Sequence, residues 1–212
     1  MSKESRTRFL VIDASSEDHQ RERALKENIE RVLKTAERLG AEARHIRLCE
    51  FEFNHNQSAK RGSKTTPEKL APLLDCLMWT EVVVIASPVQ WGGVNLWLKL
   101  FIDQVLSPLE EGGLEHGFEA YGKVAGLLLL CDDDGASALS ARLLHMLTHM
   151  GFAIPPWGSH YTNVVIPANA TEDGWQSEPE LIVPGLLKLA KLMRGFPSLE
   201  EVVRTSRGIL AQ

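Results

Sequence analysis

Three short stretches of this 212-residue chain hold residue types able to bind or transform a ligand. Residues 87 to 93 read SPVQWGG and follow an apolar run. Pro88 restricts Ser87 to extended backbone, and Gly92 with Gly93 lets main-chain amides approach a ring with no Cβ in the way. Trp91 offers an aromatic wall, and Val89 and Gln90 complete a loop suited to a flat heterocycle. The second stretch, DASSEDHQRER (13 to 23), supplies Ser15, Ser16, His19 and Gln20 as hydrogen-bond donors. A helix starting near Glu17 or Asp18 would aim its free amides at an anion such as phosphate. Those two acids oppose it: a carboxylate about 6 Å from a phosphate charge costs about 3 kcal/mol at an effective dielectric of about 20. A helix terminus returns only about 0.3 to 2 kcal/mol, so the acids must face water or be offset by Arg21 and Arg23. The stretch also reads as an ordinary acidic first turn with no phosphate. The third, CDDDGAS (131 to 137), places Gly135 after another apolar run. With Asp13, its Asp132, Asp133 and Asp134 could gather a magnesium ion; as a solvated turn they would cap the following helix.

Other candidates are weaker. His145 and His149 stand four apart, a spacing able to hold a transition metal, but they share a polar helix face with Arg142 and read as solvated. Lys60, Arg61 and Lys64 could grip a phosphate from a polar, turn-rich loop (54 to 69), or be no more than its solvated charge. Cys49, Cys76 and Cys131 are odd in number and far apart, which suggests neither a disulfide framework nor a metal knuckle. The 23 lysines and arginines against 28 acids give a formal charge of −5, the wrong sign for a nucleic-acid or anionic-membrane binder. The apolar stretch near the start, Phe9 to Ile12, is too short for a signal peptide or a membrane span, so a cytoplasmic protein is expected.

These stretches must be held by elements whose pattern is plain. Phe9 to Ile12, residues 41 to 48, Val82 to Ala86 and Val124 to Leu130 read as strands, with a fifth within 152 to 166. Between them, Leu25, Ile29, Val32, Ala36 and Leu39 mark a helix stopped by Gly40. Leu139, Leu143, Met146, Leu147 and Met150 mark another, stopped by Gly151, and a further helix spans about 180 to 194. Strict alternation predicts an α/β fold, a doubly wound five-stranded parallel sheet of order 2-1-3-4-5, with ligands at the carboxyl ends of the strands. The chain is expected to form a single domain, with its core over about 8 to 195 and a tail from 196 to 212. The helix after SPVQWGG is apolar around most of its circumference: Val94, Leu96, Trp97, Leu98, Leu100, Phe101, Ile102 and Val105 leave only Asn95, Lys99, Asp103 and Gln104 polar. Such a helix needs a further cover, either a neighbouring segment of the chain or a second subunit, and a homodimer is the preferred one.

SPVQWGGVNLWLKLFIDQV resembles the flavodoxin-like NAD(P)H-dependent FMN reductases and quinone reductases. The matching residues are Ser87, Pro88, Val89, Trp91, Gly92, Leu98, Lys99, Phe101 and Asp103, and the order of elements supports the likeness over about residues 8 to 155. The resemblance implies a flavodoxin-like fold, FMN as cofactor and NAD(P)H as co-substrate. It also implies electron transfer to a quinone or similar small acceptor, in a homodimer or dimer of dimers. It assigns Pro88, Val89, Gln90, Trp91 and Gly92 to one side of the flavin ring and Gly135 to the other, with Ser15, Ser16, His19 and Gln20 at the phosphate. Gln90 stands where members commonly carry an aromatic residue or histidine, and the glycine and threonine usual in the first loop are missing. A flavodoxin-like scaffold without cofactor, acting as a binding or regulatory protein, is the alternative.

Overall fold

The computed structural model describes residues 5–16, 22–54, 68–112, 120–131, 135–163 and 178–197. The strands are β1 (Arg8–Asp13), β2 (Glu42–Arg47), β3 (Val82–Gln90), β4 (Gly93–Val94), β5 (Val124–Cys131) and β6 (Ser159–Asn163). β2, β1, β3, β5 and β6 lie side by side in that order and all run parallel, while β4 folds back antiparallel onto the end of β3. With the small β4 set aside, this is the expected 2-1-3-4-5 order of a flavodoxin-like sheet.

The sheet is buried on both faces because its central strands are apolar through their middles, with polar residues confined to the ends of β1 and the far end of β3. In β1, Phe9 and Val11 pack against helices α1 (Arg23–Arg38) and α6 (Ile182–Met193). Leu10 and Ile12, pointing the other way, meet α2 (Ala71–Trp79), α3 (Leu96–Phe101) and α5 (Gly135–His149). β3 divides in the same way, with Val82, Val84 and Ala86 on one side and Val83 and Ile85 on the other. Each large side chain so buried contributes about 1.5 to 3 kcal/mol relative to exposure. The α1 stripe of Leu25, Ile29, Val32 and Ala36 is buried as its spacing predicts. Gly40 ends that helix at φ +87°, whereas Leu39, expected on the stripe, is 48% exposed.

Two expectations need correction. The third strand does not end at Ala86: it runs to Gln90, so Ser87, Pro88 and Val89 are buried strand residues and not loop. β1 pairs with β3 only as far as Ala86, so Pro88 is flanked on one side alone, by Leu130 of β5. A proline there forfeits no bond to a second neighbour. The second correction lies on the apolar helix, at Gln104. α3 passes into a π-helical turn (Ile102–Leu106) and then α4 (Ser107–Gly112). Its cover comes largely from within the chain: Leu98, Leu100, Phe101 and Val105 are buried, and Phe53 packs on Trp97 with ring centroids 6.4 Å apart. Gln104, expected on the polar face, is buried and holds the backbone of Asn54 at both ends, accepting from its N–H (3.0 Å) and donating to its carbonyl (2.9 Å). Among the described residues no helix is long and apolar enough to cross a membrane.

Candidate functional site

The site is built where β1, β3 and β5 end together. β1 closes on Asp13, a buried carboxylate whose Oδ1 accepts the N–H of Ser15 at 2.8 Å. This Asx-type turn lifts the chain out of the sheet. His45 of β2 lies 3.3 Å from the other oxygen. Burial pushes the Asp13 carboxyl up, but hydrogen bonding from His45 and the nearness of Ser15 outweigh it, and the group sits below its ordinary value of 3.8. The Ser15 hydroxyl is wholly buried, close to Asp13 yet without a directed hydrogen-bond partner. An orphan of that kind asks for an occupant.

Ser16 has a partner. Glu22, 4% exposed, accepts the Ser16 N–H at 2.5 Å and the Ser16 hydroxyl at 3.0 Å. A carboxylate of the chain itself thus occupies the donors that sequence reasoning offers to a phosphate. The acids weighed in the sequence, Glu17 and Asp18, lie outside the described residues, as do His19 and Gln20. The described α1 begins at Arg23 and not near residue 17.

β3 ends in a hairpin in which Val89 and Gln90 pair with Val94 and Gly93. Its two central residues, Trp91 at φ +51° and Gly92 at φ +68°, are both left-handed, as the tightest hairpin turn requires. Glycine adopts this freely, whereas in a tryptophan it costs about 1 to 2 kcal/mol. The Trp91 side chain is fully exposed, so core packing does not compensate the strain. Strain held at a loop tip without a packing reason makes Trp91 a candidate for a functional position. A Cβ built on Gly92 would come within 3.8 Å of the Gly135 Cα, so the turn after β3 meets the start of α5 glycine to glycine.

Asn95 joins these parts. It caps α3, its side-chain oxygen accepting the Leu98 N–H at 3.0 Å, while its amide donates to the carbonyl of Ala14. The loop after β1 is thereby tied to the helix after β3, and the N–H of Ala14 is held by the carbonyl of Ala86 at 2.8 Å. Of the residues singled out in the sequence, Ser15 and Ser16 stand at one part of this edge, and Gln90, Trp91, Gly92 and Gly135 at another. Pro88 and Val89 support the hairpin from within the sheet. Sequence reasoning missed Glu22 and Asn95 and considered Asp13 only as a metal ligand. For Asn95 a signal existed, since asparagine directly before an apolar helical run is a good N-cap. Glu22 carries no such signal.

The other candidates stay apart from this edge. His149 of α5 lies 3.2 Å from Glu110, and no group of three metal-ligating side chains occurs among the described residues. Asp132, Asp133, Asp134, Lys60, Arg61 and Lys64 lie outside the described residues. A cavity of about 450 Å³ opens at the opposite edge of the sheet, lined in part by Arg6, Thr7, Gly40 and Ala41. It borders the starts of strands, where open parallel sheets do not bind their ligands.

A strand-end site formed by three loops of a parallel sheet accords with the match of residues 7–162 to the model of the NADPH-dependent FMN reductases. The chain belongs to that family. Within reach of it is the 8-demethyl-8-aminoriboflavin-5'-phosphate synthase of Streptomyces davaonensis, 24% identical over 139 residues, 63% of this chain and 54% of that protein. The chain therefore spans about half the length of this curated relative. The fold is shared with RosB carrying 8-demethyl-8-formylriboflavin-5'-phosphate, at TM-score 0.68 and 19% identity over 95% of this chain and 87% of that one. It is also shared with the NAD(P)H:quinone oxidoreductase of Methanothermobacter marburgensis, at TM-score 0.58 and 13% identity over 90% and 99%.

The residues present fit an FMN-like ligand. The buried Ser15 hydroxyl suits the phosphate end, although the donors of Ser16 are held by Glu22, and two touching glycines beside an exposed tryptophan suit the edge of a ring.

Proposed function

We propose that this protein is an FMN-dependent oxidoreductase that draws electrons from NAD(P)H and delivers them to a quinone or similar flat acceptor. The observation that carries the reading is the meeting of Gly92 and Gly135 beside a strained, fully exposed Trp91. The two backbones touch and leave no gap between them, but without side chains they form one bare edge against which a planar ring can lie, with the tryptophan beside it as a wall. When bound, FMN supplies the redox chemistry, alternately taking up and giving out two electrons. The chain's part is placement and exclusion of water. Gln90, Trp91, Gly92 and Gly135 would border the ring along one edge, while Ser15 and Ser16, with His19 and Gln20, would take the phosphate. No side chain of the site needs to act as acid or base. The names of the synthase relative and of the ligand held by RosB both describe a riboflavin-5'-phosphate, which supports a ligand of that shape. We further propose a homodimer in which Trp91 and the 55% exposed Leu96 are covered by the second copy.

A second reading, a scaffold without cofactor that works as a binding protein, is favoured by the seating of Glu22 on Ser16. Turnover separates the two. The purified protein with FMN should oxidise NADPH in the presence of a quinone well above the rate of free FMN. Gly92→Trp, which drives a large ring toward Gly135, should lower that rate at least tenfold, about 1.4 kcal/mol of barrier. A rate equal to that of free FMN, in wild type and variant alike, would overturn the oxidoreductase reading and leave the scaffold.

A further inference from the structure

Glu22 is nearly buried, and among the described residues no cationic side chain is paired with it. Its two oxygens go instead to the N–H and the hydroxyl of Ser16, at 2.5 and 3.0 Å. Those are the donors that a ligand's phosphate would use. Beside them stands the buried Ser15 hydroxyl, close to Asp13 but without a directed hydrogen bond. A carboxylate and a phosphate cannot share one set of donors in a partly buried loop, because like charges at hydrogen-bonding separation disfavour each other strongly. A neutral alcohol faces no such conflict. The terminal hydroxyl of an unphosphorylated flavin side chain can donate to Glu22 while Glu22 keeps its hold on Ser16.

We infer that Glu22 is a specificity-determining residue that sets the cradle against phosphate and toward the unphosphorylated flavin. The inference rests on the flavin reading proposed above and deepens it. Glu22 is an anion built into the site: FMN must displace it, riboflavin need not. The protein thus binds FMN more weakly than its serine donors alone would allow, and exchanges it more readily as a substrate than a protein with a vacant cradle.

Titration of FMN and of riboflavin against wild type and Glu22→Gln, followed by quenching of flavin fluorescence, tests this without reliance on turnover. The glutamine keeps the shape and one acceptor oxygen but removes the charge. FMN should bind Glu22→Gln about tenfold more tightly than wild type, equivalent to about 1.4 kcal/mol, with riboflavin affinity changed less than about threefold. Equal FMN affinity in the two proteins, or an equal gain for both ligands, would overturn the inference while the flavin reading stands. Absence of binding by either ligand to either protein would overturn both. Wild type alone gives a second test should the variant not fold: riboflavin binding within about tenfold of FMN supports the role of Glu22. A preference for FMN well beyond that refutes it.

Discussion

The chemistry of the site begins with single residues held against their ordinary preferences: a carboxylate in the interior at Asp13, a serine hydroxyl without a partner at Ser15, a tryptophan at positive φ. Asp13 is the one whose role stability measurements read most clearly. Its pKa in the folded state lies below the ordinary 3.8, so its ionised form is favoured by folding. The stabilisation is fully present above the unfolded value and disappears as pH falls through the folded one. Asp13→Asn should be less stable than wild type at neutral pH by about 1 to 3 kcal/mol, the range for loss of a buried charged hydrogen-bond acceptor. In denaturant titrations on lowering pH, that gap should close below 3.8 at up to about 1.4 kcal/mol per pH unit. A gap that stays constant into acid would show that the Asp13 charge contributes nothing. At this scale the sequence is legible where residue type limits backbone or donor chemistry, as for Gly92, Ser15 and Ser16. It is not legible for Glu22, because the reach of a glutamate six residues along a loop depends on a path that no local pattern encodes.

Among elements, the junction at Asn95 does more than end a loop. By capping α3 and donating to Ala14, it fixes the hairpin after β3 relative to the loop after β1. Asn95→Ala should cost about 0.5 to 2 kcal/mol for the cap alone, and more for the buried Ala14 carbonyl left without its donor. Flavin affinity should fall with it, whereas Asn95→Asp should keep the cap and restore stability only in part. Thermal denaturation with and without flavin checks this, and an Asn95→Ala protein as stable as wild type would remove the junction from the account. The elements themselves follow from the sequence with errors that have physical causes. Ser87 and Pro88 look like the start of a turn because proline is rare in central strands. β3 tolerates it since β1 has already ended alongside. The helix after the hairpin looks too apolar for one chain because the sequence does not disclose that Phe53 and Asn54 return to cover it.

For the molecule as a whole, the alternation of strands and helices suffices to predict the sheet order, and the sheet order points to the strand ends after β1, β3 and β5 as the candidate site. Topology brings together residues as distant in sequence as Ala14 and Asn95, or Gly92 and Gly135. Nothing in the spacing of those residues announces their contact; the handedness and order of parallel connections do. The dimension of the ligand also belongs to this scale, since the bare edge at Gly92 and the cradle at Ser15 and Ser16 must be spanned by one molecule. The most direct measurement is therefore a difference-absorbance titration of the purified protein with FMN and with riboflavin in the visible flavin band. The account predicts a saturable shift of that band for at least one of the two ligands, with one flavin per chain, abolished by Gly92→Trp. A spectrum unchanged by either flavin in excess, from protein that is folded by circular dichroism, would contradict it.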